Sequence, residues 1–165
     1  MNMLEAKVEG LALDMTTNSP VVILAPISVN KVLPIWIGHA EAWGIAIQLT
    51  GIESHRPMTY DLLKDIIDAT KSIVTKVEIT ELKEQTFYAK VYVESIDKSV
   101  SEIDARPSDS IALALKMNAP IFVNENLLHV SEEQSQKENS MPTDPESLRE
   151  RLKKINPEDF GNYTL

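Results

Sequence analysis

Val74-Thr75-Lys76-Val77-Glu78-Ile79-Thr80-Glu81-Leu82-Lys83-Glu84-Gln85-Thr86-Phe87-Tyr88-Ala89-Lys90-Val91-Tyr92-Val93-Glu94 is the stretch that decides the fold class. Val74–Leu82 and Thr86–Glu94 are rich in β-branched and aromatic residues, and the polar link Lys83-Glu84-Gln85 is short enough for a hairpin. In the second strand Phe87, Ala89, Val91 and Val93 share one face, and Tyr88, Lys90 and Tyr92 share the other.

Helical and strand-like segments flank this hairpin. Upstream, residues 3–14 alternate in part, with Leu4, Ala6 and Val8 against Glu5, Lys7 and Glu9, as a half-buried strand does. Thr16-Thr17-Asn18-Ser19-Pro20 is turn-like, and Val21-Val22-Ile23-Leu24 suits a buried strand. A further strand is expected over Lys31–Gly38, at a sheet edge or a bulge, because Pro34 cannot donate to a ladder. His39–Leu49 has helical spacing with many small residues, and Gly51 is a plausible stop. A second helix is expected from Thr59 as N-cap, with Leu62, Leu63, Ile66 and Ile67 as its apolar face.

Downstream of the hairpin, a strand is expected near Val100–Ile103. A third helix runs from Ser108 as cap to Met117, and a short buried strand covers Ile121–Val123. The order is strands, helix, helix, hairpin, helix, strand. It predicts an α+β fold: one domain over residues 1–130, with a mixed, largely antiparallel sheet packed against about three helices. Residues 131–165 are expected to add a flexible linker (131–142) and a short charged C-terminal tail helix over 145–155.

The absence of cysteine excludes disulfides, thiolate catalysis and Cys-based metal sites, and suits a reducing cytoplasm. No apolar run reaches bilayer length, and the first residues lack the regions of a signal peptide. A soluble cytoplasmic protein without membrane partners is expected. The net charge of −9 argues against a broad electrostatic grip on nucleic acid, so such a substrate needs a local basic site or bound metal.

Arginine is scarce and oddly placed. Two of the four arginines, Arg56 and Arg106, each precede a proline at a predicted helix start; the other two are Arg149 and Arg151. A cation at a helix N-terminus opposes the macrodipole unless a carboxylate or an anionic ligand neutralises it. Asp61 and Asp109 follow in the first turns of the same helices.

The segments Leu33-Pro34-Ile35-Trp36-Ile37-Gly38, Glu41-Ala42, Arg56-Pro57 with Thr59 and Asp61-Leu62-Leu63, Thr86-Phe87-Tyr88-Ala89, and Ala105-Arg106-Pro107-Ser108-Asp109-Ser110-Ile111-Ala112-Leu113-Ala114 occur in this order. Together they closely resemble the bifunctional nuclease domain family over about residues 3–130. Family members commonly carry His where this chain has Tyr60, and Ala where it has Ser110.

The resemblance implies a nuclease acting on DNA and RNA, working as a homo-oligomer, with a dimer favoured. Phosphodiester cleavage requires an activated water, charge stabilisation on phosphate and help for the leaving oxygen. Glu41, Asp61 and Asp109 are the candidate catalytic or metal-holding carboxylates. Arg56 and Arg106, with the helix-start residues Thr59 and Ser108, are the candidate phosphate contacts. A divalent ion, Mg²⁺ or Mn²⁺, fits this chemistry, although no diagnostic metal spacing is present. The alternative is a non-enzymatic oligomeric module that binds a small nucleotide or phosphate at the two helix starts. A purely structural role for the same residues also fits, since arginine suits ion pairs and acids suit helix N-termini.

Overall fold

The computed structural model describes residues 1–128 and 156–163. The predicted linker and tail helix lie outside the described residues. The strands are β1 (Met3–Asp14), β2 (Ser19–Pro26), β3 (Leu33–Trp36), β4 (Ile73–Lys83), β5 (Thr86–Glu94), β6 (Val100–Ala105) and β7 (Ile121–Asn124). The helices are α1 (His39–Thr50), α2 (Thr59–Ala69) and α3 (Pro107–Met117), followed by a 3-10 turn at Pro157–Phe160. The strands form one mixed sheet in the order β3-β2-β1-β7-β4-β5-β6. Only the β4–β7 pairing is parallel; the other five are antiparallel. The fold is α+β, as the sequence predicts.

Strict alternation does not describe these strands, because bulges shift their parity. In β1 the register slips between Val8 and Gly10, so Leu11 and Leu13 join Leu4, Ala6 and Val8 against the same core. In β4 slips at Thr75 and Thr80 keep Val74, Val77, Ile79 and Leu82 on the core side. Both bulged threonines donate their hydroxyls to carbonyls of β5, Thr75 to Tyr92 and Thr80 to Tyr88, each at 3.3 Å. The Thr80 carbonyl in turn accepts the Asn124 side-chain amide at 2.8 Å.

The main core lies between the sheet and the helices and contains Val22, Leu24, Leu33, Ile45, Ile79, Ile111 and Val123. Its partners in β2, Val21 and Ile23, face the opposite way and form a smaller cluster with Ala12 and Val32. Toward β4–β6 that outer face is polar. Glu78 accepts from Lys76 at 2.5 Å and from the Tyr92 hydroxyl at 2.7 Å. Burial and this carboxylate push the Tyr92 phenol up to about 12.

Several local expectations need correction. The hairpin turn is two residues, not three: Lys83 pairs with Thr86, and Glu84 and Gln85 both take positive φ, at 47° and 61°. The caps sit one or two residues earlier than predicted. Met58 caps α2 and Arg106 caps α3, because Pro107 is pre-shaped for the first helical position. The apolar face of α2 is mostly uncovered. Only Ile67 is buried, while Leu62 is 56% and Ile66 is 52% exposed. Pro34 does mark an edge, since β3 closes one end of the sheet. Among the described residues no helix is long and apolar enough to cross a membrane.

Asp14 pins the route from the sheet into α1. It is fully buried at the end of β1, where it accepts the Trp36 indole N–H and the Thr16 backbone N–H, both at 2.9 Å. Burial alone raises its pKa, but the donations from Trp36, Thr16 and Thr17 outweigh that and lower it. Asp14→Ala orphans these donors and is expected to cost about 1–3 kcal/mol, read as a lower melting temperature at neutral pH. The carboxyl titrates lower folded than unfolded, so its stabilisation is complete above the ordinary value of 3.8 and is lost as pH falls below it. The melting gap between wild type and Asp14→Asn should therefore narrow on acidification; a constant gap would show that the charge is not the stabilising feature.

Candidate functional site

Three helix N-termini meet beside the Arg106 side chain. The segment into α1 is fixed by backbone donation from Ile37 N to Pro20 O at 3.0 Å and by His39 Nε2 donating to Asn18 O at 3.1 Å. This sets Glu41 in the first turn of α1. Arg106 precedes α3, Asp109 lies in its first turn, and Tyr60 lies in the first turn of α2.

The guanidinium joins these elements. Arg106 donates from Nε to Asp109 Oδ2 at 2.7 Å, from Nη2 to Asp109 Oδ1 at 3.0 Å and from Nη1 to Glu41 Oε1 at 2.8 Å. The Tyr60 hydroxyl donates to Asp109 Oδ1 at 3.1 Å. Asp109 first, then Glu41, raises the pKa of Arg106. Burial first, then the negative Asp109, raises that of Tyr60, which stays a protonated donor. The helix-start oddity is thus resolved by carboxylates for Arg106, yet its side chain is 63% exposed.

Two glycines clear the space. A Cβ on Gly38 would fall on the Glu41 carboxylate, and one on Gly44 would lie 3.0 Å from the Tyr60 ring. The result is a cleft of about 260 Å³, walled by Ala40, Glu41, Trp43, Thr59, Tyr60, Arg106 and Asp109 among others. Trp43 is backed by Tyr163, with ring centroids 5.1 Å apart, and the nearby Phe160 is buried.

Of the predicted site residues, Glu41, Arg106 and Asp109 converge here, and Thr59 lines the wall. Asp61 does not join them. It accepts the Met58 backbone N–H at 2.9 Å and pairs with Lys116, and these donors, Lys116 first, lower its pKa. It faces an adjoining cleft of about 330 Å³ with Lys116, His55 and Ser54. Arg56 stays on the surface in the loop before α2, and its side chain reaches neither cluster. Ser108 is buried and does not line the Arg106 cleft, because the helix starts at Pro107 and turns it inward.

Tyr60, Lys116, Gly38 and Gly44 are not predicted as part of this arrangement. Only Tyr60 carried a signal, as the departure from the related pattern in the α2 start. Among the described residues no group of three His, Asp or Glu forms a ready-made metal cage. Glu41 and Asp109 are the carboxylates of this cleft, and Arg106 and Tyr60 already engage three of their four oxygens.

The fold and cleft define an α+β domain with a guanidinium–carboxylate site at three helix starts. The bifunctional nuclease domain matches residues 22–136. An uncharacterised protein of Mycobacterium tuberculosis is 36% identical over 94% of this chain and 97% of its own length. Bifunctional nuclease 2 of Arabidopsis thaliana is 28% identical over 68% of this chain, which spans 35% of that longer protein. Bifunctional nuclease 1 of Oryza sativa subsp. indica is 26% identical over 61% of this chain and 31% of its own length. The chain belongs to the bifunctional nuclease domain family.

Gly38 offers a direct test of the geometry. Its backbone, at φ −77° and ψ 164°, suits any residue, and only a flexible carboxylate must move for alanine. Gly38→Ala is expected to melt close to wild type while turning Glu41 away from Arg106 in a crystal structure. An unmoved Glu41 would contradict the close approach described here.

Proposed function

We propose that this protein is a nuclease that hydrolyses phosphodiester bonds in DNA and RNA, with the Arg106 cleft as its active site. The observation that carries the reading is one exposed guanidinium held between two carboxylates at an open junction of three helix N-termini. A phosphate entering the cleft offers Arg106 an alternative planar, bidentate partner and meets the positive ends of the helices.

Glu41 is the general base. Asp109 already has both oxygens engaged by Arg106 and Tyr60, whereas Glu41 has one oxygen on Arg106. As phosphate takes over the guanidinium, Glu41 can accept a proton from the attacking water, and the leaving oxygen, as its bond to phosphorus breaks, takes a proton from solvent in the open cleft. Asp109 holds Arg106 and Tyr60 in place. The Tyr60 phenol, kept protonated, donates its one proton to Asp109 and so helps hold that carboxylate against Arg106. A Mg²⁺ or Mn²⁺ ion entering with the substrate phosphate beside Glu41 would add charge neutralisation on the phosphate and a more acidic water. The cysteine-free sequence suits action in a reducing cytoplasm.

The purified protein is expected to cleave single-stranded DNA and RNA in the presence of Mg²⁺ or Mn²⁺. Arg106→Ala and Asp109→Asn should each lower the rate by about 10²-fold, the scale for loss of one preorganised charge-stabilising contact. Intact substrates with wild type, or full activity in Arg106→Ala, would overturn the assignment. Stabilisation by a mononucleotide without turnover would mark a binding module instead.

The same reading makes the protein a homodimer joined through the exposed face of α2, since Leu62, Leu63 and Ile66 form an uncovered apolar strip. Light scattering should give twice the chain mass for wild type and the chain mass for Ile66→Glu. A single-chain mass for wild type would remove the dimer.

A further inference from the structure

The adjoining cleft is not used by the chemistry at Arg106, yet it opens from the same place. Ile47, Gln48 and Met58 line both cavities, so the two are immediate neighbours across these side chains. The second combines an apolar surface, from Ile47, Ile52, Pro57 and Met58, with polar groups from Gln48, Ser54 and His55. An apolar floor with an amide at its rim suits the face and edge of a nucleobase.

The walls of the two clefts carry the same balance of fixed charge, and the second has a further cation, Arg56, beside it in the chain. Beside Arg106, two carboxylates stand against one guanidinium, so that cleft alone holds a polyanion poorly. In the second, Glu53 and Asp61 stand beside Lys116, which pairs with Asp61, and Arg56 lies on the surface between two of its lining residues, His55 and Pro57. Among the described residues, Arg56 has no carboxylate partner. A protein of net charge −9 must gather its cations where the phosphates run, and these two are placed beside the reacting site.

We propose that the Lys116 cleft is a nucleotide subsite, which takes the residue next to the scissile phosphate of a single-stranded nucleic acid. The base packs on Ile47, Ile52 and Met58 and meets the Gln48 amide. Lys116 shifts from Asp61 to the flanking phosphate, and Arg56 meets the next one. This rests on the nuclease reading of the Arg106 cleft. It adds the path of the substrate and a preference for oligonucleotides over isolated phosphodiesters. At about 260 and 330 Å³, the clefts have the scale of small-ligand sites.

The test compares hydrolysis of hexathymidylate with that of bis(p-nitrophenyl) phosphate, a diester with no neighbouring nucleotide. Lys116→Ala is expected to lower the ratio of the two kcat/KM values about tenfold, the loss of one charge-assisted contact. Lys116→Arg should restore most of it. Gln48→Ala, which breaks no ion pair, should lower the same ratio and guards against a folding defect in Lys116→Ala. An unchanged ratio in both alanine variants would overturn the subsite. Fluorescence anisotropy with a phosphorothioate hexathymidylate separates the two readings. Lys116-dependent binding without any cleavage would keep the subsite and remove the nuclease. Diester hydrolysis without hexathymidylate binding would do the reverse.

Discussion

Arg106 stands at the start of a helix whose own field opposes a positive charge there, and the arrangement persists because carboxylates from two helix starts surround it. Asp109 engages two of its nitrogens from within α3, and Glu41 reaches the third from α1. Tyr60 of α2 completes the junction through Asp109. The three helices otherwise meet the sheet by apolar packing, which fixes a distance between layers but not the alignment of helix ends. A planar guanidinium with defined donor directions does fix that alignment. The same group that orders the junction is the one a phosphate would engage, so structure and chemistry compete for one side chain.

The sheet supplies the other half of the constraint. Glu41 can reach Arg106 only if the chain turns into α1 at the right place, and the buried Asp14–Trp36 hydrogen bond sets that turn from β1 and β3. Gly38 then leaves room for the Glu41 carboxylate. A buried carboxylate far from the cleft thus contributes to site geometry through backbone position, with no direct contact to the cluster.

Much of this was legible in the sequence, for identifiable reasons. The hairpin was visible because β-branched and aromatic residues bracket a polar link, and Pro34 announced an edge because it lacks a donor. The Arg-Pro dipeptides located two helix starts, and in α3 the cap is shifted by the preference of proline for the first helical position. What the sequence hid depends on tertiary register. Bulges at Glu9, Thr75 and Thr80 restore core facing where alternation fails, and no local pattern announces them. The same limit explains why two equivalent-looking arginines part company. Arg106 meets a carboxylate from a helix 65 residues away, and Arg56 does not, although each has an aspartate in the helix that follows. Likewise the apolar pattern of α2 identified a helix but not which of its faces the sheet would cover.

Tyr60 gives the site its particular character. A histidine at this position would bring a ring that titrates near neutral pH beside Asp109. The phenol here is pushed further from titration by burial and by that carboxylate. It therefore donates a hydrogen bond without exchanging its proton at ordinary pH. Gly44 leaves space for the ring, so the phenol is accommodated by a neighbouring element instead of being forced in. Asp109 is committed to both Tyr60 and Arg106, whereas Glu41 gives only one oxygen to Arg106. Tyrosine at this position therefore ties α2 to the charge framework around Arg106 through a neutral donor, without adding a charge to it.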